Sequence, residues 1–186
     1  VAITTIDRNT ALIVVDLQKG IVALPTVHSA DEIVERSNRL LAAFHRHGLP
    51  VVLVNVDGGA PGRTDANAGG GELPADFTEF VPELDRQPTD IVVTKPNWGA
   101  FYGTSLDLRL RRLGVTQVVL AGIATSIGVE STARAAHERG YHVTLAVDAM
   151  TDLNPETHRN SIERIFPMLG ESGTAQEIID HLKESH

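Results

Sequence analysis

The chain has 186 residues, 42% hydrophobic and 22% charged, which fits one globular domain over 1–186 and excludes a disordered chain. A formal net charge of −8 argues against a nucleic-acid backbone or an anionic membrane as partner, and leaves small molecules, anionic ones included where a local cation holds them. There is no cysteine, which excludes a disulfide scaffold, a thiolate metal site and a thiol nucleophile, and fits a cytoplasmic setting.

The first residues, Val1 to Asp7, show no basic region followed by an apolar stretch, so no signal peptide is expected. No apolar run approaches the roughly 20 residues of a membrane span. Ala11 to Leu17 opens a series of valine-, isoleucine- and leucine-rich runs that continues with Pro50 to Val56, Asp90 to Thr94, Gln117 to Ala121 and His142 to Val147. Their near-continuous apolar character predicts parallel strands covered on both faces. A sixth, weaker strand is expected near Met168 to Glu171.

Helical patterns fall between these runs. Ser29 to His47 begins with a capping-box spacing, Ser29 to Glu32, and stops at Gly48. Thr104 to Leu113 has Thr104 as a candidate N-cap, Asp107 early, Arg109, Arg111 and Arg112 late, and Gly114 as its stop, an order that suits the helix dipole. A helix over Gly128 to Arg139 ends at Gly140, Asn154-Pro155 reads as an N-cap with proline at the first helical position, and Thr174 to Lys183 opens with a second capping-box spacing. Strands alternating with helices predict right-handed crossovers and a mostly parallel sheet. Asp57 to Pro88, with Gly58-Gly59, Pro61-Gly62 and Gly69-Gly70-Gly71, breaks the alternation and is expected to be a long lid or binding loop, or a mobile insert.

Ligands of open α/β sheets bind beyond the carboxyl ends of the strands. Asp16-Leu17-Gln18 follows the first run, and a carboxylate there is either used or is a turn residue or cap. Lys95 ends the third run, where it could pair with Asp16. Trp98, Phe101 and Tyr102 follow it, either as a core or oligomer cluster or as an aromatic wall beside a cation. The fourth run leads through Gly122-Ile123-Ala124-Thr125-Ser126-Ile127-Gly128 into a helix. Such a turn either allows tight packing or offers backbone amides to an anion.

These three motifs in order, Asp16-Leu17-Gln18, Lys95 with Trp98-Gly99-Ala100-Phe101-Tyr102-Gly103-Thr104, and Gly122 to Arg134, resemble the isochorismatase-like hydrolase family over nearly the whole chain. The resemblance implies a three-layer α/β/α Rossmann-like fold with a six-stranded parallel sheet in the order 3-2-1-4-5-6, and a homodimer or homotetramer. It also implies an Asp, Lys and Cys catalytic group, which falls on Asp16, Lys95 and Gly128, so that glycine stands at the cysteine position. A cis peptide is implied at Ile123-Ala124, with the amides of Ala124 and Gly128 as oxyanion donors. Gln18, Trp98, Phe101, Tyr102, Thr125 and Ser126 are the expected substrate contacts.

Glycine cannot form the family's thioester. Members with glycine at this place cleave a vinyl ether without a covalent intermediate, which implies Asp16 as general acid and Lys95 as its orienting charge. A nearby ammonium lowers the pKa of a carboxyl group whereas a general acid benefits from a raised one, so either burial or a substrate carboxylate would have to offset Lys95. Nicotinamidase-like members bind a metal through an Asp and two His near the second strand. Here Asp57 is followed by Gly58-Gly59-Ala60 with no histidine until His137, and the eight histidines show no paired ligand spacing, so neither a metal nor an organic cofactor is expected. The expected function is hydrolysis of a small carboxylated substrate by ether or vinyl-ether cleavage. The alternatives are a small-molecule-binding protein without turnover, and an amide hydrolase that uses activated water. Arg63, in the long loop, is either solvated or meets a substrate carboxylate.

Overall fold

The structure is a computed structural model that describes residues 2–66 and 72–185. Its elements run β1 (Thr10–Val15), α1 (Lys19–Val22), α2 (Ala30–Arg46), β2 (Val51–Val56), β3 (Ile91–Lys95), α3 (Leu106–Arg112), β4 (Gln117–Ile123), α4 (Glu130–Glu138), β5 (His142–Thr151), α5 (Pro155–Asn160), α6 (Phe166–Leu169), β6 (Glu171–Gly173) and α7 (Ala175–Ser185). Two π-helical segments, Thr125–Val129 and Ser161–Ile165, lead into α4 and α6.

Six strands form one all-parallel sheet in the order β3-β2-β1-β4-β5-β6. The sheet is covered on both faces because each central strand is apolar on both. Leu12 and Val14 of β1 pack with Leu40, Leu41 and Phe44 of α2 and Ile178 and Leu182 of α7. Ala11, Ile13 and Val15 pack with Leu106 and Leu110 of α3 and Ala133 and Ala136 of α4. Successive side chains on a strand point to opposite faces, so this alternation produces the three layers. The strand order reverses between β1 and β4, where Val15 pairs with Gly122. Gly122 has φ +119°, and a β-carbon there would lie 2.1 Å from the carbonyl oxygen of Val15, so only glycine lets β4 approach β1 this closely.

Several local expectations need correction. The sixth strand is Glu171–Gly173, and Phe166–Leu169 before it is helical, because Gly170 donates its N–H to Phe166 O and ends that turn. β5 runs on to Thr151 with a register shift, Leu120 facing Leu145 but Gly122 facing Met150. Of the two capping boxes, the one at Thr174 forms reciprocally: Thr174 N donates to Glu177 Oε2 at 2.7 Å and Glu177 N to Thr174 Oγ1 at 3.2 Å. Ser29 makes no capping bond, and Glu32 instead faces Arg36 at 3.7 Å. Ser105 rather than Thr104 precedes α3, although Thr104 Oγ1 still accepts from Leu106 N at 3.2 Å. Asn154 caps α5 as expected, with Pro155 following it.

The long segment after β2 is loop, of which Gly69-Gly70-Gly71 lies outside the described residues. Its second half folds back on the β1 end: Lys19 N donates to Glu79 O at 2.8 Å and Val81 N to Leu17 O at 3.1 Å. Arg63 is exposed. Among the described residues, no helix is long and apolar enough to cross a membrane.

Candidate functional site

β1, β3 and β4 deliver the three motifs to one edge of the sheet. Asp16 leaves β1 with φ 56°, a left-handed conformation uncommon for a residue with a side chain. Its N–H is fixed by Val54 O of the neighbouring strand at 2.8 Å. Lys95, two strands away, extends to it: Nζ lies 2.9 Å from Asp16 Oδ2 and donates a second bond to Asn97 O at 3.1 Å. Both residues are buried, at 5% and 1% exposure. Asp16 Oδ1 is also buried and has no hydrogen-bond partner among the described residues, a costly state for an ionised carboxylate. Burial pushes the Asp16 carboxyl up to about 6, and the opposing pull of the Lys95 ammonium is the smaller effect.

The turn after β4 closes over this pair. A β-carbon on Gly128 would lie 3.0 Å from Val15 Cγ1, 3.4 Å from Trp98 O and 3.5 Å from Asp16 Oδ2. Position 128 therefore adjoins the carboxylate, and a side chain there would press on Val15, Trp98 and Asp16. The Ile123–Ala124 peptide is cis. Ala124 O accepts from the N–H groups of Ile127 and Val129, each at 3.1 Å. Helical structure starts at Thr125 rather than at Gly128, because a remote carboxylate caps it: Asp152, after β5, accepts from Ser126 N at 2.7 Å. Asp152 also takes Leu153 N at 2.7 Å and is 2% exposed.

The expected contacts divide. Gln18 is fully buried with its amide turned inward, Nε2 donating to Val56 O and Phe77 O at 2.9 Å each and Oε1 accepting from Val56 N at 2.7 Å. It ties the β1 end to β2 and the long loop, and both of its amide N–H donors are used within the protein. The three aromatic residues do not form one wall. Phe101 lies in the core under α4, with the Arg139 guanidinium 4.9 Å from its ring centre and Tyr141 at 6.0 Å, whereas Trp98 and Tyr102 are 60% and 75% exposed. Sequence spacing could not separate them, because Phe101 alone faces inward from a loop without periodicity. Thr125 is buried with its hydroxyl 2.8 Å from His158 Nδ1, and the Ser126 amide is consumed by Asp152.

Sequence reasoning missed His28, Asp152 and His158. The two imidazoles lie 4.9 Å apart between ring centres, although 130 positions separate them in the chain. His28 binds Thr151 Oγ1 through both its N–H and Nδ1, at 3.0 Å each. Burial, then the neighbouring His28, lowers the His158 pKa, with Asp152 opposing. The one sequence signal near this cluster was the Asn154-Pro155 cap, which fixes where α5 begins. Among the described residues, no group of three or more His, Asp or Glu side chains is arranged to hold a metal ion.

Residues 10–177 match the family model described as the Isochorismatase domain. The chain is similar to the isochorismatase family protein YwoC of Bacillus subtilis (strain 168), 44% identical over 183 residues and covering 95% of each chain. It is 32% identical to the ureidoacrylate amidohydrolase RutB of Methylobacterium radiotolerans, over 87% of this chain and 75% of that one. Among solved structures, an isochorismatase family protein from Burkholderia thailandensis superposes with a TM-score of 0.94 at 40% identity, over 98% of this chain and all of the other.

Proposed function

This chain belongs to the isochorismatase family, and we propose that it is a hydrolase that cleaves a vinyl ether or related ether of a small carboxylated molecule, with Asp16 as general acid. The observation that carries this reading is Asp16 itself: a buried carboxyl group raised to about 6, with one oxygen unpartnered among the described residues and a glycine where a side chain would otherwise crowd it. A neutral carboxyl can donate its proton at mildly acidic pH.

In the proposed reaction the Asp16 proton adds to the methylene carbon of the enol ether. The C=C electron pair forms the new C–H bond, and the ether carbon becomes an oxocarbenium ion. Water adds to that carbon and loses a proton, and the hemiketal collapses to a keto acid and an alcohol. Lys95, held 2.9 Å from Oδ2, stabilises the carboxylate that Asp16 becomes. The amides of Ser126, Ile127 and Val129 are committed elsewhere, so the backbone donors proposed for the substrate's own carboxylate are those of Ala124 and Gly128.

The test is pyruvate release from isochorismate by the wild type and by Asp16→Asn at equal concentration. Release abolished by the substitution supports the reading. A wild type that releases nothing removes isochorismate as the substrate. Similarity to an amidohydrolase favours a second reading, attack of activated water on an amide, and ammonia release from a ureido acid would identify it.

A further inference from the structure

The turn that brings Gly128 to Asp16 is held from behind by two groups, Asp152 on the Ser126 amide and His158 on the Thr125 hydroxyl. The two holds differ in kind. Asp152 accepts from backbone N–H groups, which keep their protons at every working pH. His158 meets a hydroxyl, and its side of that bond depends on whether the imidazole is neutral.

Thr125 is fully buried, and His158 Nδ1 is the only partner of its hydroxyl among the described residues. A buried hydroxyl proton needs an acceptor. Thr125 therefore donates to Nδ1, which assigns neutral His158 as the Nε2–H tautomer. Protonation places a proton on Nδ1 as well. The ring then becomes a donor toward Thr125 Oγ1, and the hydroxyl proton is left without an acceptor in a buried place.

The surroundings do not compensate. On the segment leading into α2, the His28 ring faces His158 at 4.9 Å and opposes a second positive charge there. Asp152, after β5, attracts an imidazolium, but both its oxygens already take N–H groups. At the start of α4, the Glu130 carboxylate is engaged by Ser161 at 2.6 Å and Arg134 at 2.9 Å. On α5 and the π-helical segment after it, Glu156, Arg159, Glu163 and Arg164 are exposed.

We infer that His158 is a positioning residue: its neutral ring accepts the Thr125 hydroxyl and holds the Thr125–Val129 turn against Asp16, and its protonation releases that hold. The inference builds on the proposed site at Asp16 and Gly128, and it adds a second proton to the chemistry. Asp16 must hold a proton to act as an acid, while His158 must lack one to keep the turn in place. Activity would then rise and fall with pH, the acidic limb belonging to His158.

The experiment is an NMR titration of the full chain carrying Asp16→Asn, so that Asp16 contributes no titration of its own. The Gly128 amide and the His158 ring nitrogens are followed from pH 8 downward in 15N-labelled protein. The expected result is Nε2–H His158 at pH 8 and a shift of the Gly128 amide with the same midpoint as the ring. The Gly128 step is lost in Asp16→Asn/His158→Asn, because the asparagine amide keeps a polar atom near Nδ1 without titrating. The step survives in Asp16→Asn/His28→Asn with its midpoint moved to higher pH. An Nδ1–H tautomer at pH 8, a Gly128 amide that stays fixed while His158 titrates, or a step that persists without His158 overturns the inference. With Asp16 intact, His158→Asn should keep turnover and lose the acidic limb, whereas His158→Leu should lose turnover. The titration needs no substrate, so a wild type that leaves isochorismate intact counts against the proposed reaction and leaves this coupling to be decided by the amide shifts.

Discussion

Two buried carboxylates stand at the same edge of the sheet, Asp16 after β1 and Asp152 after β5, and they are opposite in character. Asp152 is 2% exposed and gives both oxygens to backbone N–H groups at 2.7 Å. Asp16 is 5% exposed, gives one oxygen to Lys95 and leaves the other with no partner among the described residues. Burial is nearly equal, so burial alone does not make a reactive acid. What differs is satisfaction. A carboxylate that accepts fixed N–H donors has its charge compensated and its role is structural. One that is desolvated faster than it is compensated has its pKa raised and keeps a proton available.

The sharpest way to break this comparison is to neutralise each carboxylate and read the two consequences separately. Asp16→Asn should lower turnover by about 10²–10⁴-fold, the usual contribution of a general acid. Its effect on stability should be small at pH 5, because Asp16, raised to about 6, is itself largely protonated there and asparagine matches its charge. Asp152→Ala should do the reverse and cost about 3 kcal/mol in chemical denaturation, since it orphans the amides of Ser126 and Leu153. Equal losses of stability in the two variants would sink the distinction.

The next test concerns Lys95. Asp16 has a folded pKa of about 6 against an ordinary value of 3.8, so the native state binds the proton more tightly than the unfolded chain. The group therefore lowers stability as pH rises from 3.8 toward about 6, and the penalty is fully present above that. Activity that needs the protonated acid falls through the same upper value. Lys95 pulls the pKa down, so Lys95→Met should move the alkaline limb of the pH–rate profile upward by about one pH unit or more. A limb that moves down would show that the lysine is not the compensating charge.

The smallest expected effect is at Gly128. Alanine there brings a β-carbon to 3.0 Å from Val15 Cγ1 and 3.5 Å from Asp16 Oδ2, so the neighbours must yield by a few tenths of an ångström. The expected cost is about 1 kcal/mol in stability and on the order of tenfold in turnover. Unchanged turnover would mean that the space beside Asp16 is not where substrate sits.

Much of this was legible in the chain itself. The apolar runs give near-complete burial of β1, β2 and β4, which is why they mark strands without alternation. Asp16 and the small-residue turn follow such runs, Lys95 ends β3, whose burial alternates, and a parallel sheet carries all strand ends to one edge, so their convergence followed from the sheet alone. Local chemistry carried the Asn154 cap and the Thr174 capping box, because both partners of each lie within three residues. It failed at Ser29, where Glu32 faces Arg36.

The sequence by itself determined the layer architecture and the residues that meet at the sheet edge, because apolar periodicity and strand polarity are properties of short segments. Only the tertiary structure decided what those residues can do. The balance between burial and Lys95 at Asp16 depends on a partner 79 positions away and on packing from both faces of the sheet. The inward commitment of Gln18 depends on where the long loop returns, and the meeting of His28 with His158 on how α5 is docked against the turn. Each of these is set by desolvation and by contacts between remote segments, which no local spacing encodes.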